Sequence, residues 1–199
     1  RQRQMCIRDR YRYSFKYVPA KLNLTEFLYS LPDVFDEQFP NRANAFQFDT
    51  DTHNIFICAD SNRLLSAFLE LLSNAAEADN SCGSIQIHSH VNACGHTVTV
   101  SVTGKGSLSE INPSEMQTNP LIDADAPLTA QLSTPFFSTK ENHAGLGLSI
   151  VAQVCHTHHA GFELYSRNGF TTAGITFPIL AMDLSLIHIS EPTRPRLIS

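Results

Sequence analysis

The sequence predicts an α/β domain of the α+β kind, a two-layer sandwich with helices on one face of a mixed, mostly antiparallel sheet. Three observations carry this. Ser84–Val91 and His96–Thr103 each alternate apolar and polar residues, and the turn-prone Asn92-Ala-Cys-Gly95 between them reads as a hairpin. Ser61–Asp79 places Leu64, Leu65, Phe68, Leu71, Leu72, Ala75 and Ala76 on one broad apolar face at roughly 100° per residue, as a helix laid on a sheet would. Strands and helices come in mixed order, with strands grouped toward the end, which suggests helices packed on one face of a mostly antiparallel sheet.

The elements follow in order. Ser14–Pro19 reads as a short strand, and Leu22–Leu31 as a helix with Asn23 or Thr25 as N-cap and Glu26 in its first turn. Asn44–Thr50 alternates and Asn54–Ala59 is rich in β-formers, so both read as strands. Asp60 or Ser61 caps the long helix, on which Glu70, Asn74 and Glu77 share the side opposite the apolar face. On the second hairpin strand Val98, Val100 and Val102 point one way, Ser101 and Thr103 the other. Gly104–His143 is long and rich in Pro, Asn, Ser and Asp; a stretch of that kind in a compact domain usually has a job, such as a lid. A helix from about Gly145 to His158 follows, then strands near Gly161–Ser166 and Ala173–Leu180.

The 199 residues suit one domain with atypical ends. Residues 1–12 hold five arginines and residues 185–199 lack periodicity; both resemble translated sequencing-adapter sequence and are expected to be non-native or disordered. The domain is therefore expected over residues 13–184, as part of a longer protein. Without the seven basic and two acidic residues of the ends, its net charge is −10, which argues against nonspecific nucleic-acid binding. No apolar run reaches the 18 or so residues of a membrane helix. Cys6, Cys58, Cys82, Cys94 and Cys155 contain no CxxC pair, and reduced thiols are expected. His156, His158 and His159, near a helix end, read as solvated rather than metal-bound.

Chemistry concentrates in Leu132–Val151. Lys140 stands five residues ahead of Gly145-Leu146-Gly147, which opens a helix. Unsatisfied N–H groups at a helix start attract phosphate, and glycines let it approach the backbone closely. Four segments then fall into order: Glu70–Ala78 (ELLSNAAEA), Thr103–Gly106 (TGKG), Ser133–Lys140 (STPFFSTK) and Gly145–Val151 (GLGLSIV). They resemble the N, G1, F and G2 boxes of the GHKL family of ATP-binding domains, and most closely the catalytic domain of bacterial two-component sensor histidine kinases. The ending, His159–Ile179, is similar to the final hairpin of that domain. The resemblance covers about Phe15–Ile179.

The resemblance implies a Bergerat fold that binds ATP with Mg²⁺, with a lid over about residues 104–143. It implies Asn74 as the Mg²⁺ ligand, a role that its side-chain oxygen suits. Glu70 would be catalytic, polarising the incoming histidine or, in a GHKL ATPase of another branch, activating water. Lys140 would meet the terminal phosphates from the lid, with Phe136 and Phe137 anchoring that lid. Gly104, Gly106, Gly145, Leu146 and Gly147 would line the nucleotide. The implied reaction is γ-phosphoryl transfer to a histidine on an upstream dimerisation domain, then to a response regulator. The full-length protein would be a homodimer with a cytoplasmic kinase domain. No histidine here has the expected acceptor setting; His188 comes nearest but lies in the excluded tail.

Two positions depart from the family pattern. Val102 stands where the G1 box has the aspartate that reads the adenine amino group, and His143 where the G2 box has a first glycine. A non-catalytic binding or dimerisation module is therefore the alternative reading.

Overall fold

The computed structural model describes residues 16–40, 45–50, 54–78, 84–106, 132, 134 and 145–180. Expectations for the two ends, and for most of the lid, lie outside the described residues.

The elements run β1 (Ala20–Asn23), α1 (Leu24–Gln38), β2 (Ala45–Thr50), β3 (Phe56–Ala59), α2 (Ser61–Ala78), β4 (Ser84–Val91), β5 (Thr97–Lys105), α3 (Gly147–Thr157), β6 (Gly161–Arg167) and β7 (Phe170–Pro178). Five strands form the main sheet in the order β2-β4-β5-β7-β6. Among the described residues only the β2–β4 pair is parallel; the others are antiparallel. The predicted class and both hairpin strands are borne out, with β5 starting one residue later and ending two residues further on than its alternation suggested.

The core lies between this sheet and the helices. Ile85 and Ile87 of β4, Val98, Val100 and Val102 of β5, and Ala173, Ile175 and Phe177 of β7 face inward with Leu64, Phe68 and Leu72 of α2. Strand side chains alternate between faces, so a register setting Val102 opposite both Ile87 and Ala173 aligns the whole apolar row. The other face is polar, with hydroxyl pairs Thr99–Thr176 and Thr103–Thr172 across β5 and β7, each at 2.9 Å.

Three local expectations need correction. Among the described residues the first strand is Ala20–Asn23, past the expected strand whose described part, Lys16–Pro19, is irregular, and it pairs with β3 in a separate two-stranded sheet. Asn23, the last paired residue of β1, caps α1 by accepting the N–H groups of Thr25 and Glu26. Helix α1 runs on through Pro32 to Gln38. The proline removes one N–H donor, but Leu24, Leu28, Leu31 and Phe35 form one buried stripe across it, and tertiary burial overrides the local break. In α2, Ala67 and Leu69 are buried beyond the single face read from the sequence; they stand roughly 160° apart around the helix, which packs against both α1 and α3.

Candidate functional site

Helices α2 and α3 pack together, and the start of α3 meets the polar side of α2. Gly145 has φ +65°, a left-handed conformation that glycine adopts without strain, and it delivers the chain into α3 at Gly147. The N-cap position is Leu146, and no side chain caps the helix. A Cβ on Gly147 would lie 2.9 Å from Glu70 Oε2 and 3.6 Å from Asn74 Nδ2. The missing side chain is what lets these two groups reach the helix start. Both are half-buried, so the side of α2 read as opposite the apolar face is covered by α3 rather than turned to water.

A second glycine pair closes the approach between β5 and α2. A Cβ on Gly104 would sit 2.7 Å from Ala75 Cβ and 3.0 Å from Ala75 Cα. That contact is with the helix itself, so the strand lies closer to α2 than a side chain allows. Gly106, at φ +143°, would set a Cβ 3.0 Å from Ala78 Cβ. Its carbonyl accepts the Thr171 hydroxyl at 3.0 Å, and its N–H donates to Gly169 O at 2.9 Å. Gly104, Gly106, Glu70, Asn74 and Gly147 thus border one surface built from the C-terminal half of α2, the end of β5 and the start of α3. Thr171 belongs to this rim and was missed in the sequence; a strand threonine gives no signal until its partner strand is known.

The predicted direction of Val102 is borne out: it faces the helical layer and is 3% exposed, within the apolar core. Lys140, Phe136, Phe137 and His143 lie outside the described residues. Of the histidines read as solvated, His156 and His159 are exposed but His158 is buried, a correction taken up below.

An Mg²⁺–nucleotide fits the residues present. Glu70 brings a carboxylate oxygen and Asn74 its side-chain amide to an uncapped helix start, and Mg²⁺ typically takes only one or two protein ligands beside phosphate and water oxygens. Among the described residues no group of three His, Cys, Asp or Glu could hold an ion alone. The fit is therefore to a metal arriving with phosphates. Also among the described residues, no helix is long and apolar enough to cross a membrane.

Comparisons with known proteins agree with this geometry. Residues 59–181 match the family described as histidine kinase-, DNA gyrase B- and HSP90-like ATPase. The sensory histidine kinase/phosphatase NtrB of Rhizobium leguminosarum bv. phaseoli is 33% identical over 140 residues, covering 68% of this chain and 35% of that protein. NtrB of Rhodobacter capsulatus is 28% identical over 125 residues, covering 63% of this chain and 34% of that protein. The chain thus spans about a third of the length of the curated relatives it matches. The solved catalytic domain of histidine kinase ThkA is 26% identical, with a TM-score of 0.62, over 81% of this chain and 95% of that one. From these matches, the chain belongs to the histidine kinase-, DNA gyrase B- and HSP90-like ATPase family, as an ATP-binding catalytic domain of the sensor histidine kinase kind.

Proposed function

We propose that this domain binds Mg²⁺–ATP against α2 and α3 and, in an intact protein, supports transfer of the γ-phosphoryl group to a histidine of an upstream dimerisation domain. The observation that carries the reading is the seating of Gly147 against Glu70 and Asn74. The first-turn N–H groups of α3 would receive phosphate oxygens, held in place by the helix rather than by mobile side chains. Asn74 would hold Mg²⁺, which when bound neutralises charge on the phosphates. Glu70 would face the incoming imidazole and orient it by accepting its N–H. Lys140 would bring a positive charge to the terminal phosphates. Gly104 and Gly106 would let the end of β5 lie against Ala75 and Ala78 of α2, closing that side of the nucleotide surface. Catalysis on this scheme is positioning and charge neutralisation.

The partners follow from the same reading. A histidine phosphoryl group is passed to a response-regulator aspartate, and ThkA itself has been solved with a response regulator, TrrA. The intact protein would act as a homodimer with its kinase domain in the cytoplasm. One observation favours a second reading, a nucleotide-poor binding module: Val102 is buried among apolar groups where a carboxylate would read adenine.

Titration of a non-hydrolysable ATP analogue with and without Mg²⁺ tests the proposal. Asn74→Ala should abolish the Mg²⁺ dependence of binding while the fold persists. Mg²⁺-dependent binding that survives Asn74→Ala would overturn the assignment.

A further inference from the structure

Asp60 and His158 are buried, at 7% and 4% exposure, away from the proposed nucleotide surface. Asp60 follows β3 and caps α2: its Oδ1 accepts the Arg63 N–H at 3.2 Å, and its carbonyl accepts the Leu64 N–H at 2.9 Å. Its Oδ2 accepts the N–H of Val18, in the segment that leads into β1, at 3.0 Å. Its own N–H donates to His158 Nε2 at 2.9 Å. The other ring nitrogen, Nδ1, lies 2.7 Å from Val154 O.

These partners fix the protonation of the ring. A backbone N–H can only donate and a carbonyl only accept. Nε2 therefore carries the lone pair, Nδ1 carries the proton, and the imidazole is neutral. Tyr17 packs edge-on against the ring at 5.2 Å between centroids, and the Arg63 guanidinium lies 5.8 Å from the Tyr17 centroid. The end of α3 aims His158 inward. The Ala160 N–H donates to Cys155 O at 2.9 Å and the His159 N–H to His156 O at 3.2 Å, with His159 at φ +52°. That is a Schellman stop.

Three pieces of chain meet here: Tyr17–Val18, the start of α2 and the end of α3. Both helices run from this point to the proposed site. At about 1.5 Å per residue, the start of α3 is roughly 15 Å away along its helix, and Asn74 roughly 20 Å along α2. We propose that Asp60 and His158 are positioning residues, a clasp through which the segment before β1 sets how α2 and α3 lie against each other at their nucleotide-facing ends. Its importance for nucleotide rests on the function proposed above; the clasp itself does not.

Hydrogen exchange on the whole chain, without nucleotide, separates the two. His158→Leu removes the acceptor for the Asp60 N–H, while His158→Gln keeps an oxygen at the ε position. Asp60→Asn keeps an oxygen for the cap but sets an amide NH₂ against the Val18 N–H. In His158→Leu and in Asp60→Asn, exchange at Ile150 and Val151, in the first turn and a half of α3, should rise by about fivefold or more, as for a local opening. Exchange at Val100 and Ile175 in the sheet should stay within about twofold, and His158→Gln should restore the wild-type pattern. Should Asp60→Asn or His158→Leu fail to fold, Val18→Pro removes only the donor in the incoming segment and should give the same rise in α3. Unchanged exchange in α3 when the Val18 contact is lost would overturn the clasp, as would an equal rise in the sheet, which would reduce these residues to general stability. If the wild type does not bind nucleotide, only the functional reading is lost.

Discussion

Val102→Asp offers the sharpest perturbation. Val102 is 3% exposed, faces α2 from β5, and stands opposite Ile87 and Ala173 in the sheet. Aspartate has nearly the same size, so the change opens no large cavity, and its cost is that of a buried charge without a partner. Leaving such a charge uncompensated costs about 3–5 kcal/mol. A domain of this kind has about 5–15 kcal/mol of stability, so most of the variant should fold, with a Tm lower by on the order of 10 °C. If the side chain lies at the nucleobase, the new carboxylate accepts the adenine amino group. A hydrogen bond to a charged group contributes about 1.5–3 kcal/mol, or roughly tenfold to a hundredfold in affinity. GTP presents a carbonyl at that edge and should gain nothing. The assay is parallel titration of ATP and GTP against both proteins, with thermal melts at saturating nucleotide. ATP should recover part of the lost Tm and GTP should not. A folded variant with unchanged ATP affinity would refute the assignment of Val102 to the base site, and one that does not fold would make Val102 a plain core residue.

Other substitutions test the packing and the titration chemistry. Gly104→Ala forces a Cβ to 2.7 Å from Ala75 Cβ, an overpacking that should cost about 1–3 kcal/mol in chemical denaturation; unchanged stability would mean that β5 does not approach α2 so closely. Gly147→Ala meets mainly the flexible end of Glu70, so it should leave the Tm nearly unchanged and weaken nucleotide binding. His159→Gly relieves a left-handed backbone at φ +52° and should stabilise by about 1 kcal/mol, as a Tm rise of a few degrees. Burial pushes the Cys155 thiol up to about 12 from 9.0, so at pH 8 the native protein should alkylate at exposed Cys58 and Cys94 and spare Cys155. Because the folded thiol is the weaker acid, its contribution to stability is present below pH 9 and is lost as pH rises from there toward 12. Asp60 behaves oppositely. Burial pushes its carboxyl up, but the N–H groups of Val18 and Arg63, the Arg63 charge and the Asn62 N–H outweigh that and hold it below 3.8. Its contribution is therefore present above that value and is lost only as pH falls below it.

The main sheet and its long helix were legible because their periods are clean. The Val98, Val100, Val102 alternation gave the register of β5, and the one-sided pattern from Leu64 to Ala76 gave α2. Where one segment has two neighbours the signal blurs: Ala67 and Leu69 were left off the apolar face because α2 packs against both α1 and α3, neither of which could be placed beforehand. Pro32 hid the second half of α1, since a local breaker says nothing about a buried stripe crossing it. β1 was displaced because its pairing with β3 is set 33 to 39 residues away along the chain, not by its own alternation. The glycines of the site were legible as a motif, but the reason for them was not. Gly104 and Gly147 are required by Ala75 and Glu70, which stand elsewhere in the chain. His158 was misread for the same cause: three adjacent polar residues at a helix end suggest solvent, and only Asp60, 98 positions away, shows that the middle one points inward.

Mapping backbone amide shifts while Mg²⁺ and an ATP analogue are titrated into the ¹⁵N-labelled chain tests the central claim most directly. Saturable, Mg²⁺-dependent shifts should concentrate at Asn74, Gly104, Gly106, Gly145 and Gly147, where α2, β5 and the start of α3 meet, with little change on the polar face of the sheet around His88 and Tyr165. Saturable shifts on that polar face instead, or none at the start of α3 at millimolar nucleotide, would contradict the account.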